Sequence, residues 1–381
     1  MSEIVIVYIF RIFWALILGA FLAGGFRSSW NAEIGKRGLF RQGRDDTVVW
    51  IDPICFPVLI LIYMGAYLFI YAGTGELELC MVSAADLFLF LSIYYTFLLL
   101  VLPLLRRYFT ARTCATFWLI PVFLYYQPHL IYSSMTLPPV VYLYIPGKIL
   151  GSLSVIWLLG FVLILGSQIF SHLRFVYNLK RNSRRVDDPL IFETFEIVQK
   201  KINYTHLVEL RYCSMLDTPL SVGMRKKRRI TYLPEEKFTE EELEMIFSHE
   251  LHHIQRNDTH TKFFLRFCIA LGWFHPLVWI AVKKGEEDLE LSCDEIVLKD
   301  ADDVGRKRYA QLLLSIAGDS RGFSTCLSSS ARSLRYRLKA AMPQKTKRLG
   351  TGLLFVIMFL STLAVGRTGL SVERGYTADL I

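Results

Sequence analysis

SHELHHIQRND, residues 248–258, sets three histidines, two acids and an arginine into eleven consecutive positions. The chain holds only 8 histidines in 381 residues and is 53% hydrophobic, so such a concentration asks for a chemical reason. His249-Glu250-Leu251-His252-His253 fits H-E-x-x-H. On a helix, residues i and i+4 lie on one face, one above the other. His249 and His253 then offer two imidazole nitrogens to one metal ion. Glu250, beside them, is placed to take a proton from an attacking water. Zinc suits such a set, because it accepts nitrogen and carboxylate ligands tetrahedrally and leaves one position open. His252 points elsewhere, to the surface or to a position behind the metal.

A third protein ligand is needed. Downstream lies GEEDLELSCDEIVL, residues 285–298, helical by its spacing. A solvated helix face is the ordinary reading of an acidic run. Here Leu289, Leu291, Ile296 and Leu298 alternate with the acids, so part of the helix is buried. Glu290 and Asp294 stand one turn apart on one face, and a buried carboxylate pair is well served by a divalent cation.

Outward from these motifs the chain is apolar. Mean hydropathy is +0.37 and aromatic residues make up 14%. Apolar runs of about 20 residues, the length a bilayer core demands, fall near 5–25, 54–73, 85–105, 114–135 and 149–171. A sixth, 350–366, lies near the C-terminus. The loops at 26–52, 106–112 and 174–185 are basic, whereas 74–84 and 136–147 carry no basic residue. This alternation predicts an outside N-terminus and a cytoplasmic segment 172–349. The expected organisation is an N-terminal membrane domain (1–171) of about five spans, a cytoplasmic zinc domain (172–349), a final transmembrane helix (350–366) and a short outer tail (367–381). The net charge of +9 is assigned to loops facing anionic lipid, with no direct nucleic-acid partner expected. The seven cysteines form no C-x-x-C pair and read as small buried hydrophobes in a reducing compartment.

Within 172–349, Pro189–Lys201 reads as a helix and Leu207–Cys213 and Ile230–Leu233 as strands. Thr239 with Glu242 three residues on is a helix-start signature. The segment TPLSVGMRKKRRITYLP (218–234) reads as a strand pair. Residues 217–223, with Ser221, Val222 and Gly223, are the candidate edge for binding a peptide substrate as an added strand; the MRKKRR block is placed to touch lipid headgroups. Thr261–Val282 is long and apolar enough to be a span, but a crossing there would put His249 and Glu290 on opposite sides of the membrane. Gly272 and His275-Pro276 break it into halves of about ten residues, roughly 15 Å each, so a helical hairpin near 261–283 is expected, with His275 at the turn.

The linked set HELHH, RND at 256–258, an apolar stretch ending FHPLVW, and ELSCDE resembles the membrane zinc peptidases of the BlaR/MecR type, β-lactam sensor-transducers that inactivate a cytoplasmic repressor. The resemblance covers roughly 170–366. It implies a mainly α, polytopic protein of the bacterial cell membrane with a cytoplasmic α+β, gluzincin-type peptidase domain. It assigns His249, His253 and Glu290 to Zn2+, Glu250 to the general base and Asp294 to support behind the ligands. Asp258 is read as a cap of the following helix, without a catalytic role. A cytoplasmic protein substrate, a repressor or the chain itself, is implied; the self-cleavage site would fall near Ser324–Ser330. The family's extracellular penicillin-binding domain has no counterpart in the fifteen residues after the last run, and the first half holds five candidate spans where the sensor-transducers have three. Two rival readings stand beside the signalling peptidase: a non-proteolytic membrane scaffold, and a processing or quality-control metalloprotease.

Overall fold

The computed structural model describes residues 3–35, 52–71, 77–121, 141–144, 147–224, 229–317, 331–342, 347–365 and 368–371. It is mainly helical. In chain order come α1 (Glu3–Glu33), α2 (Cys55–Tyr71), α3 (Leu77–Tyr108), α4 (Ala111–Phe117), β1 (Val141–Tyr144), α5 (Gly147–Arg181), β2 (Ser183–Arg185) and α6 (Pro189–Ile202). There follow β3 (Val208–Cys213), β4 (Leu220–Val222), β5 (Arg229–Leu233), α7 (Glu240–Gln255), α8 (Asp258–Leu271), α9 (Pro276–Val297), α10 (Asp303–Ala317), α11 (Ala331–Ala341), α12 (Thr351–Ala364) and β6 (Thr368–Ser371).

Among the described residues, three helices are long and apolar enough to cross a membrane: Ile4–Glu33, Phe88–Tyr108 and Gly151–Arg181. The second apolar run forms the 17-residue α2 and the last forms the 14-residue α12, about 21 Å of helix. α12 packs along α1, where the Arg11 Nε donates to the Thr362 carbonyl at 3.3 Å. Only the start of the 114–135 run is described. There α4 has seven residues, with Thr113 to Phe117 all buried; 122–140 lie outside the described residues, as do 225–228 of the basic block and the proposed cleavage stretch 324–330.

The helix that carries HELHH, α7, starts on a capping box. The Thr239 hydroxyl accepts from the Glu242 N–H, and the Glu242 carboxylate accepts from the Thr239 N–H at 2.8 Å, satisfying two end donors that water would otherwise have to serve. Its apolar face, Leu243, Ile246, Phe247, Leu251 and Ile254, packs against Ile191, Phe195 and Val198 of α6. Phe195 meets Phe247 edge-on with ring centroids 5.1 Å apart. Each such buried side chain stabilises by about 1.5–3 kcal/mol, and Phe247→Ala, at a position with no exposed surface, would cost about 3–5 kcal/mol.

The four-stranded sheet has the order β2-β3-β5-β4. The strands β3 and β5, read from Leu207–Cys213 and Ile230–Leu233, pair directly and in parallel. β4 folds back as an antiparallel partner on the far side of β5 and so becomes the edge. Gly223, just past it, has φ +137°, a conformation open to glycine and strained for other residues.

Beyond α7 the chain reverses at Asn257, whose left-handed φ of 53° suits asparagine better than a branched residue. α8 then runs to Gly272, the chain turns over Gly272–His275, and Pro276 opens α9 at a position where its missing N–H costs nothing. Asn257, not Asp258, takes the cap position of α8, and its side chain makes no cap bond.

Both motif helices are tied to the apolar helices. Asp288 of α9 accepts from the Arg106 Nε at the end of α3 (2.8 Å) and from the Trp118 indole (2.7 Å). At the end of α7, Arg256 Nε stands 3.8 Å from Glu33, the last residue of α1, and Arg112 stands 3.6 Å from the same carboxylate.

Candidate metal centre

α7 and α9 bring His249, His253 and Glu290 together. The Nε2 atoms of the two histidines are 3.1 Å apart, and each is 3.4 Å from Glu290 Oε2. A tetrahedral ion with bonds of about 2.0–2.1 Å to nitrogen and oxygen sets its ligand atoms about 3.3–3.4 Å apart. All three separations sit close to that edge length. Glu290 Oε2 is buried and has no hydrogen-bond donor. A buried carboxylate oxygen without a donor is costly, and a divalent cation at the common focus would remove the cost.

Each of the three side chains is held from behind. Asp258 Oδ2 lies 2.7 Å from His253 Nδ1. Lys262 Nζ donates to Glu290 Oε1 at 2.9 Å, which leaves Oε2 for the focus. Asp294 Oδ1 is 3.3 Å from His249 Nδ1, and the Tyr309 hydroxyl sits between, 2.6 Å from Asp294 and 3.2 Å from His249. Arg337 of α11 grips Asp294 with two bonds of 2.8 Å. This pattern orients a ring and fixes its tautomer. Burial alone would raise the Glu290 carboxyl, but the Lys262 ammonium and His253 hold it well below the ordinary carboxylate range. Burial likewise opposes ionisation of Asp294, and Arg337 with His249 overcomes it.

A second group, His253, Asp258 and Cys293, also lies close enough to share an ion. It is the poorer site. Asp258 Oδ2 and His253 Nδ1 are already at hydrogen-bond distance, 2.7 Å, too short for two ligands of one tetrahedral ion, and Arg256 engages Cys293 Sγ at 3.1 Å.

Glu250 is buried on α7 next to His249. It stands outside the three-residue cluster. His252 is buried as well, not at the surface. Its Nδ1 faces Glu33 at 3.9 Å, and burial pushes its imidazole down to about 4. Ser221 and Val222 lie on the edge strand, which rests against α7, and Gly223 follows them. Asp258, Tyr309, Arg337 and Lys262 were not marked as site residues by the sequence. Only Asp258 had a local signal, an acid directly after the motif helix; Tyr309 and Arg337 come from helices with no spacing relation to it.

Residues 137–340 match the family described as BlaR1 peptidase M56, and the chain belongs to that family. The regulatory protein BlaR1 of Bacillus licheniformis is 26% identical over 182 residues, 48% of this chain and 30% of that protein. The methicillin resistance mecR1 protein of Staphylococcus aureus (strain Mu50 / ATCC 700699) is 27% identical over 163 residues, 42% of this chain and 27% of that protein. The chain therefore matches less than a third of the length of these relatives. A metallopeptidase family and membrane-type apolar helices thus meet in one chain.

Proposed function

We propose that the protein is an integral-membrane zinc endopeptidase acting in signal transduction, with a gluzincin-type centre. His249, His253 and Glu290 hold the ion, and Glu250 is the general base. The observation that carries this reading is the donorless Glu290 Oε2, buried at 3.4 Å from both imidazole Nε2 atoms. Zinc bound there supplies Lewis acidity toward the scissile carbonyl and makes a nearby water acidic enough to attack at neutral pH. Glu250 takes the proton of that water and passes it to the leaving amine. Asp258, Lys262, Asp294, Tyr309 and Arg337 keep the ligands in place, so little reorganisation accompanies the reaction. The edge strand β4, lying against α7, receives the substrate as a further strand, with backbone hydrogen bonds fixing its register.

By the positive-inside pattern the N-terminus lies outside and the peptidase domain in the cytoplasm, so the substrate is a cytoplasmic protein. The relatives' roles in regulation and resistance, and the resemblance to antirepressors, favour a transcriptional repressor. The test is Glu250→Gln, which keeps the shape of the side chain and removes its basicity. The variant is expected to retain about one zinc per chain and lose cleavage of a protein that the unchanged chain cuts in cells, detected by comparing cellular proteomes. Retained proteolysis would remove Glu250 as the base; a chain that binds zinc but alters no protein would favour the scaffold reading.

A further inference from the structure

The α8–α9 hairpin changes character along its length. At its base two ion pairs bridge the helices on the outward face, Lys262 to Glu290 at 2.9 Å and Arg266 to Glu286 at 2.8 Å. Toward the turn the exposed side chains include Phe274, Trp279 and Ile280, which are 51%, 41% and 49% exposed, with Pro276 beside them and Lys283 exposed one turn nearer the base. Such a cluster is unfavourable against water.

The tip is docked on α5, the most exposed of the three long apolar helices. The Trp157 indole donates to the Leu271 carbonyl at 2.8 Å, and the Trp273 indole donates to the Trp157 carbonyl at 3.2 Å. Phe161 meets Phe267 edge-on at 5.7 Å. Gly160 makes the close approach possible, since a Cβ there would overlap the Trp273 ring. α8 thus runs antiparallel to α5, with Leu271 beside Trp157 and Phe267 beside Phe161. On the other side of α5 an exposed apolar face, including Ile156, Leu159 and Leu163, continues at the same level.

The three indoles of the tip need no water, whereas Nδ1 of His275 at the turn is buried without a hydrogen-bond partner. The indole of Trp279 donates to the Trp273 carbonyl at 3.0 Å, so all three indole N–H groups of Trp157, Trp273 and Trp279 are satisfied by backbone. Satisfied indoles are part of what burial in hydrocarbon asks of a segment, where water cannot serve the polar groups.

We propose that the tip of this hairpin is immersed in the acyl chains of the bilayer through Phe274, Trp279 and Ile280, with the Lys262–Glu290 and Arg266–Glu286 pairs at the level of the headgroups. From Lys262 to Leu271 the helix rises about 14 Å, roughly half of the 30 Å hydrocarbon layer. The metal centre then opens at the membrane surface, and the hairpin enters and leaves through the same leaflet. The proposal rests on α5 being a membrane helix and not on the metal or the cleavage chemistry.

The test reconstitutes the full chain in phosphatidylcholine vesicles whose acyl chains carry bromine at mid-chain. The emission of Trp279 is isolated by subtracting the Trp279→Phe variant. Phe274→Trp, at an exposed position, adds a second reporter in case loss of Trp279 perturbs folding. Each reporter is expected to lose at least half its emission in brominated vesicles relative to unbrominated ones, and to resist aqueous acrylamide. Quenching by acrylamide with no effect of bromine would place the tip in water and overturn the proposal. Protection from both quenchers would mean that protein, such as a second copy of the chain, covers it, which overturns the proposal equally.

Discussion

The Asp258 carboxylate stands 2.7 Å from Nδ1 of His253, five residues back and on the preceding helix. The left-handed turn at Asn257 brings α8 round so that its first residue supports the last histidine of the motif. With Nδ1 engaged, Nε2 is left to present its lone pair to the ion. Asp258→Asn preserves shape and removes the charge, and is expected to weaken zinc binding by about 10–100-fold, read by competition with a chromophoric chelator. Unchanged affinity would reduce this contact to a structural one.

The same residue has a pH signature. Burial alone would raise its carboxyl, but the Arg256 guanidinium and His253 bring it down from 3.8 to about 2. A folded value below the unfolded one stabilises the fold fully above about pH 4, and the contribution disappears as pH falls toward 2. It amounts to about 2 kcal/mol. The unfolding temperature in detergent is expected to drop between pH 4 and 2, and Asp258→Asn should flatten that drop. An equal slope in the two proteins would mean that the carboxylate is not held as described.

Arg337 is the sole cation gripping Asp294 with two hydrogen bonds among the described residues. Replacing it by leucine leaves a buried carboxylate without its counter-charge, expected to destabilise by about 3–5 kcal/mol. The double variant Arg337→Leu/Asp294→Leu should lose less than Arg337→Leu alone in thermal unfolding. Additive losses would show that the two residues act separately.

The parts legible in the sequence depend on short spacings. His249 and His253 meet because i and i+4 share a helix face, Glu290 and Asp294 for the same reason, and the Thr239–Glu242 box needs only three residues. The partners that hold this set came from elsewhere. Tyr309 and Arg337 reach Asp294 from α10 and α11, whose sequences carry no mark of that destination. The direct parallel pairing of β3 with β5 was equally hidden, because strand propensity says nothing of partner or direction. His252 read as surface or as a position behind the metal; it is buried, with its Nδ1 3.9 Å from Glu33 of α1, a neighbour that no local spacing marks.

Gly223 limits the proposed substrate edge. At φ +137° a side chain is strained by about 1–3 kcal/mol, which would bend the end of β4 away from its register. Gly223→Ala is expected to raise KM severalfold with zinc content unchanged. A variant with normal KM would move the substrate off this edge.

The central claim is that one ion sits among two imidazoles and the Glu290 carboxylate. X-ray absorption at the zinc edge on the purified full-length chain tests it most directly. The expected result is about one zinc per chain, with nitrogen and oxygen neighbours at about 2.0–2.1 Å, no sulfur, and loss of the ion in His249→Ala. A sulfur neighbour at about 2.3 Å would put the ion on Cys293 in the other cluster, and would contradict the site described here.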